Sequence, residues 1–446
     1  MARTLEDVRQ LVDERGIKFF LCSYVEMSGA PKAKLVPATH LDEMAEEGAG
    51  FAGFAAGEIG QGPHDPDMAC IPDFDSLQIV PWRPEIAWVA GNIHVNEQEW
   101  HYCPRTILQR QLEKVRQRGY TFNAGTEAEF MLLKQDEHGE YAPWDRLDPL
   151  GKPCYDLRAL HRNLDVITTV VTYMQELGWA PYAADHEDAT CQFELNWLYG
   201  DGVTTPDRHT FFKWMVKTVA EQHELMATFM PKPFAHLTGN GAHHHMSLWD
   251  TENQTNLFLD ESDENGLSQL AYWFTGGVLQ HAPALAAVTC PIVNSYKRLI
   301  RGAPRSGATW APVYVTYGGS NRTQMIRIPG PGRIENRIVD GAANPYLACT
   351  ALLAAGLDGI ERQIDPGPRN DDNLYDVPED ELRDRRIGFL PTNLSEALHA
   401  LEQDDVVRGS LGDEYASYYL EVKRREWQQY HLSVSRWETD TYLGLY

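Results

Sequence analysis

Cysteine is scarce in this sequence. There are seven in 446 residues, widely spaced, with no C-x-x-C pair. That spacing argues against a disulfide framework or a zinc ribbon and for buried thiols in a reducing compartment. Basic residues are also in deficit: 39 Lys and Arg stand against 64 Asp and Glu, a formal charge of −25. Phosphate backbones and anionic membranes attract net basic faces, so neither nucleic acid nor a membrane is expected as partner. No uninterrupted apolar run approaches the roughly 18 residues of a membrane span. The nearest, Ala282 to Val293, is broken by Pro283 and Pro291. The first residues lack the apolar centre of a signal peptide, and a cytoplasmic location is expected. Neither G-x-x-x-x-G-K-[ST] nor a G-x-G-x-x-G after a strand occurs, so a bound nucleotide would lie outside the common phosphate-loop folds.

What is present is ordinary globular material, 43 % apolar and 23 % charged, long enough for two or three domains. Leu5 to Glu14 has helical apolar spacing, and Phe19 to Val25 and Lys32 to Pro37 read as strands. Thr39 to Glu47 reads as a helix with Thr39 as N-cap. Ser76 to Val80 and Glu85 to Ala90 complete a small α+β unit, ending near Cys103-Pro104. The expected domains are therefore 1–103 and 104–446. In the second, helices are expected over 106–118, 157–177, 207–230, 267–288 and 345–364. Strands are expected over 120–123, 127–132, 191–197, 243–249, 325–328 and 333–338. The tail after Glu426 is rich in aromatics (Trp427, Tyr430, Trp437, Tyr442, Tyr446) and is expected to dock on something, such as a neighbouring subunit.

Alternate residues of a strand share a face. Glu127 and Glu129 therefore point one way, as do Gln192 and Glu194, with Glu187 in the loop before them. His243, His245 and Ser247 share a face, as do Arg333, Glu335 and Arg337. Any one such pair reads equally well as a solvated strand face. Four strands with the same period-two pattern suggest polar faces around one channel, where like charges need cations to be tolerable. Oxygen-rich ligands with few imidazoles suit Mg²⁺ or Mn²⁺. The arginines Arg298, Arg322, Arg327, Arg333 and Arg337 suggest a phosphorylated anion. Together these point to two-metal phosphoryl transfer.

The segments that carry this pattern resemble, in order, the motifs of glutamine synthetases. They are Gly125-Thr-Glu-Ala-Glu-Phe130, His186 to Glu194, Gly239-Asn-Gly-Ala-His-His-His245, Val293 to Leu299, Asn321 to Pro329, Arg333-Ile-Glu-Asn-Arg337 and Ala343-Asn-Pro-Tyr-Leu347. The resemblance implies a β-grasp N-terminal domain and a larger catalytic α/β domain. It also implies a ring-shaped homo-oligomer, commonly a dodecamer, with active sites between subunits. The implied reaction phosphorylates the γ-carboxylate of L-glutamate with ATP and then transfers the γ-glutamyl group to an amine. Glu129, Glu187 and Glu194 fall at the ligand positions of a first metal, and Glu127, His243 and Glu335 at those of a second. Arg298, Arg337 and Gly239 fall where glutamate is held. Arg322, Arg327 and Arg333 match the catalytic arginines that neutralise the transferring phosphoryl group, and His245 and Ser247 fall at ATP contacts.

Three departures from the family pattern are legible. The Asp that helps bind ammonium is replaced by Ala52, with Phe54 adding apolar bulk. The flap after the Lys-Arg motif, around Ser306-Gly-Ala-Thr-Trp310, has no acid in place of the usual glutamate. Cys191 stands where a Gly usually precedes the Gln. Tyr155 is a further candidate for the amine pocket. With Pro329-Gly-Pro-Gly-Arg333, these features most resemble the branch of the family that makes γ-glutamylmethylamide. The expected nucleophile is thus methylamine, the alternatives being ammonia or a larger amine. A catalytically dead homologue is disfavoured because all six metal-ligand positions hold Glu or His.

Overall fold

The computed structural model describes residues 3–148, 153–301 and 311–446. The expected flap, 306–310, lies outside the described residues. Among those described, no helix is long and apolar enough to cross a membrane. The architecture is α+β, with two sheets in sequence order.

The first sheet holds β1 (Phe19–Val25), β2 (Pro31–Pro37), β3 (Ala49–Phe51), β4 (Met68–Pro72), β5 (Gln78–Ile79), β6 (Ile86–Val95) and β7 (Gln98–Glu99). Its order is β2-β1-β6-β4-β3, with β1 parallel to β6. The helix Leu5–Arg15 starts on a Thr4–Asp7 capping box and ends at Gly16, whose φ of +66° is left-handed, a conformation that costs glycine nothing. Val8, Phe20, Cys22, Tyr24 and Val89 lie in the core beneath it.

The second sheet comprises β8 (Tyr120–Gln135), β9 (Tyr141–Pro143), β10 (Pro181–His186), β11 (Gln192–Trp197), β12 (Gly200–Asp201), β13 (Met226–Thr228), β14 (Ala242–Asp250), β15 (Tyr314–Gly318), β16 (Gln324–Gly330), β17 (Arg333–Asn336) and β18 (Gly388–Phe389). Its main order is β10-β11-β8-β14-β17-β16-β15-β18. Two short strands expected at 120–123 and 127–132 are one strand, β8, because Gly125 does not interrupt the ladder to β14. One face of β8 (Phe122, Ala124, Ala128, Phe130) is buried in apolar cores. The other face carries Glu127 and Glu129.

The expected long helices are shorter or broken, for identifiable reasons. The 157–177 segment divides into Leu157–Arg162 and Leu164–Glu176. At the break the Asn163 side chain donates to Ala159 O (2.8 Å) and accepts from Trp144 Nε1 (2.7 Å). The 267–288 segment divides at His281 into Gln269–Gln280 and Ala282–Thr289, since Pro283 cannot donate a helical hydrogen bond. The 207–230 segment is helical only over Thr204–Gln222, and Met226–Thr228 then joins β8 as β13. Thr39 is not an N-cap: it lies in a short 3₁₀ turn before the helix Leu41–Glu47.

Arg105, at the start of the helix Pro104–Arg116, ties the two halves together. Its guanidinium reaches Asp207 at 3.0 Å, Asp73 at 2.7 Å and Asn92 at 3.1 Å. Such a buried cation is tolerated because its donors are met. The C-terminal helices, Asp413–Leu432 and Arg436–Tyr442, leave Leu432, Val434, Trp437 and Leu443 exposed.

Candidate active site

The strand registers bring the separate motifs into a row. Glu194 of β11 sits opposite Glu129 of β8, and Glu127 of β8 sits opposite His243 of β14. His245 of β14 is opposite Glu335 of β17, and Glu335 is opposite Arg327 of β16. Five strands thus present one continuous polar face. His244 points to the other side, its Nδ1 bonded to Ala242 O.

This face lines a cavity of about 660 Å³. Its lining holds acids, Glu127, Glu129, Glu187, Glu194 and Asp185, together with cations, Arg298, Arg322, Arg327, Arg337 and Lys232. Gly239 and Tyr155 also line it. An adjoining cavity of about 550 Å³ shares Glu127, Tyr182 and Asn196 and is lined by His245, Ser247, Arg333 and the aromatic rings of Tyr199 and Trp249.

Among the described residues, two groups of donors approach closely enough to hold one cation each. The ligand atoms of Glu127, Glu194 and His243 lie within 4.8 Å of one another, as do those of Glu127, His245 and Glu335. His243 Nδ1 is also 3.5 Å from Glu335, and its Nε2 is 3.8 Å from Glu129. His245, expected beside ATP, lies 2.9 Å from Glu127 and so joins the acidic cluster as well. Carboxylate and imidazole donors of this kind fit Mg²⁺ or Mn²⁺.

Fixed contacts orient these groups. Gln192 Nε2 and Gly241 N donate to Glu129 Oε2, at 3.0 and 2.7 Å. The loop carrying Glu187 is held by buried His186, whose ring nitrogens bond Asp148 (2.8 Å) and the Glu187 carbonyl (2.8 Å). Arg298 donates to Ile338 O and Arg337 O, both at 3.0 Å. Arg327 and Arg337 flank Glu335, which is fully buried. Cys191 adopts φ +58° and its N–H donates to Asp148. A left-handed conformation explains why glycine suits this position elsewhere in the family.

The charges are uneven. Burial, then Glu129 and Asp185, push Glu187 up to about 8. Burial, then Glu127 and Glu129, push Glu194 well above the usual carboxylate range and Asp185 to about 6. Burial alone would raise Glu127 too, but His243 and His245 outweigh it and hold its carboxyl below the usual range. Glu335 is likewise lowered: Arg337 and the two imidazoles overcome its burial.

Ala52 and Phe54 do not line either cavity of the single chain. They sit just beyond β3, in and before the turn Gly53–Ala55, and both are exposed. Asp185, Lys232, Tyr182 and Asn196 are cavity residues that motif reading passed over. Asp185 had a signal, since it precedes Glu187 by the same period of two. Lys232, between two prolines, had none.

Comparison with known proteins gives the family. Residues 101–442 match the glutamine synthetase catalytic domain, which makes the protein a ligase by class. The chain belongs to the glutamine synthetase family. It is 45 % identical over 442 residues to a glutamine synthetase of Rhizobium leguminosarum bv. phaseoli, covering 98 % of this chain and 99 % of that one. It is 44 % identical over 443 residues to the glutamate–methylamine ligase of Methyloversatilis universalis, covering 99 % of each. The solved structure of a GmaS/ADP complex superposes with a TM-score of 0.92 at 48 % identity, covering 98 % of this chain and 99 % of that one. The family uses ATP and divalent metals, with glutamate and ammonia or an amine as substrates.

Proposed function

We propose that the protein joins the γ-carboxylate of L-glutamate to methylamine, at the expense of ATP, through γ-glutamyl phosphate. The observation that carries the ligase reading is the cavity lined by both a cluster of carboxylates and a cluster of guanidinium groups. The choice of amine rests on Ala52 and Phe54, and on similarity to a glutamate–methylamine ligase.

Glu129, Glu187 and Glu194 with Glu127, His243 and Glu335 hold two divalent cations in this reading. When bound, such cations supply positive charge to phosphate oxygens. Arg298 and Arg337 grip the glutamate carboxylates near Gly239; each Arg298 terminal nitrogen has one N–H beyond those given to the backbone carbonyls. Arg322, Arg327 and Arg333 offset the charge of the γ-phosphoryl group as it moves from ADP to the γ-carboxylate oxygen. ATP occupies the adjoining cavity beside His245 and Ser247. The amine nitrogen then attacks the γ-carbonyl carbon, phosphate leaves, and the nitrogen loses a proton. Residues 1–103 act as the domain that brings Ala52 and Phe54 to the site of a neighbouring subunit of a ring, commonly a dodecamer, and 104–446 act as the catalytic domain. The exposed apolar tail docks on another copy.

A methyl group in an apolar pocket is worth roughly 1–3 kcal/mol, or about 10–200-fold in selectivity. Ala52→Asp restores a charge that suits a small hydrated cation. It is expected to shift the ratio of kcat/KM for ammonium over methylammonium upward by about tenfold or more. Steady-state kinetics with both amines test this, and an unchanged ratio removes Ala52 from the amine pocket.

A further inference from the structure

Gln192, the first residue of β11, sits where the proposed cation site and the proposed glutamate site meet. It is only 1 % exposed. Its backbone carbonyl accepts from Glu187 N (2.8 Å), and its side-chain Oε1 accepts from Ala189 N (2.9 Å), so it shapes the turn that carries Glu187. Its Nε2 faces three acceptors at once: Glu129 Oε2 (3.0 Å), Gly239 O (3.0 Å) and Asn240 Oδ1 (2.9 Å). One residue thus touches a carboxylate of the first cation site, the turn that carries another, and the glycine beside which glutamate is held in the ligase reading.

The glycine is packed tightly against the rest of the site. A Cβ on Gly239 would lie 2.2 Å from Pro231 O and 3.3 Å from Arg298 Cγ, so a shift of Gly239 is felt by the arginine proposed to grip glutamate. Asn240 is fully buried, with its N–H on Pro231 O (2.8 Å) and its Nδ2 on Met230 O (2.9 Å). An amide nitrogen carries two hydrogens, and here three acceptors share them. An ionised Glu129 draws the larger share, because charged acceptors make the stronger hydrogen bonds. A cation that neutralises Glu129 releases that share to Gly239 O and Asn240 Oδ1. The loop beside glutamate is then firmer before glutamate arrives, and a site ordered in advance binds more tightly.

We propose that Gln192 is a positioning residue through which a divalent cation at Glu129 and Glu187 tightens the binding of glutamate beside Gly239 and Arg298. This rests on the ligase reading above. Linkage makes the effect reciprocal. The probes are Mn²⁺ and L-glutamate, with no amine present. Mn²⁺ affinity is read from its paramagnetic resonance signal, and glutamate affinity by calorimetry with Mn²⁺ or with chelator. In the parent, Mn²⁺ is expected to raise glutamate affinity by about fivefold or more. Gln192→Met removes the side-chain hydrogen bonds at similar shape. Gln192→Glu keeps the acceptor on Ala189 N and gives up the amide donors. In each variant Mn²⁺ affinity is expected to fall about 10- to 100-fold, as when other groups that orient a metal ligand are lost. The enhancement of glutamate affinity is expected to shrink by about fivefold or more. Direct attraction between cation and glutamate survives in both variants, so the change in enhancement reports Gln192 alone, and either variant suffices. An enhancement equal in parent and variant overturns the proposal, whatever happens to Tm, and leaves Gln192 a packing residue. No enhancement in the parent also overturns it. A parent that binds neither Mn²⁺ nor glutamate, with or without ADP, instead overturns the ligase reading itself.

Discussion

Glu335→Gln is expected to lower ligase turnover by about 100- to 1000-fold, the scale on which one preorganised electrostatic group acts. The reason is its position. Glu335 is fully buried, with Arg327 on one oxygen (2.9 Å) and Arg337 on the other, and with His243 at 3.5 Å. Glutamine keeps the shape and removes the charge. One close group of cation donors loses a member, and two guanidinium groups lose their shared counter-charge. Breaking a buried ion pair from one side costs about 3–5 kcal/mol, so a lower Tm accompanies the loss of activity. Turnover measured well below that Tm separates the two effects. Activity within tenfold of the parent there would remove Glu335 from the reacting machinery.

The second large effect is a coupling of metal, pH and stability. Glu187 and Asp185 are pushed up to about 8 and about 6, and Glu194 is raised as well. A carboxylate with a raised pKa holds its proton in the folded chain over a window where the unfolded chain has released it. The folded state then binds more protons, and stability falls as pH rises. For these groups the window runs from the ordinary carboxylate value to about 8. Buried His209, His243 and His244, whose burial lowers them, act in the opposite sense up to the ordinary histidine value of about 6.5, so the metal-free protein is expected to lose stability between about pH 6.5 and pH 8. Glu127 and Glu335, held low by imidazoles and arginines, oppose this only near the acid end. Divalent cations need the deprotonated carboxylates, so Mg²⁺ releases protons on binding and binds more tightly as pH rises. At a hundredfold excess over Kd, Mg²⁺ contributes about 2.7 kcal/mol. Thermal unfolding at about pH 6.5 and pH 8, with chelator or with Mg²⁺, tests this. A metal-free Tm that rises across that window, or a Mg²⁺ effect no larger at pH 8 than at about pH 6.5, contradicts the account.

Much of this site was legible because β-strands translate sequence spacing directly into a shared face. Glu127 with Glu129, Gln192 with Glu194, and His243 with His245 each follow from a period of two. What the spacing could not give was register. The row Glu194–Glu129, Glu127–His243, His245–Glu335 depends on long-range pairing between strands far apart in the chain. A diagonal side-chain contact between β14 and β8 also brings His245 to 2.9 Å from Glu127, in addition to the ATP contact that motif position implies. Lys232 enters the cavity from a loop whose backbone is pinned by Asn294, and no local pattern announces that. The helix breaks at Asn163 and His281 were hidden for another reason. Both segments keep their apolar spacing through the break, while side-chain hydrogen bonding in one and Pro283 in the other decide the geometry. Residues proposed to act between copies, such as Ala52 and Phe54, are visible only as exposed positions in a single chain.

The central claim, an amine site tuned to methylamine, is tested most directly by competition. The enzyme is supplied with ATP, Mg²⁺, glutamate and equal concentrations of ammonium and methylammonium, and the products are separated by mass. The account predicts γ-glutamylmethylamide in excess over glutamine by about tenfold or more, the value of one methyl group in an apolar pocket. Glutamine as the main product would contradict it and would make the protein an ammonia ligase despite Ala52.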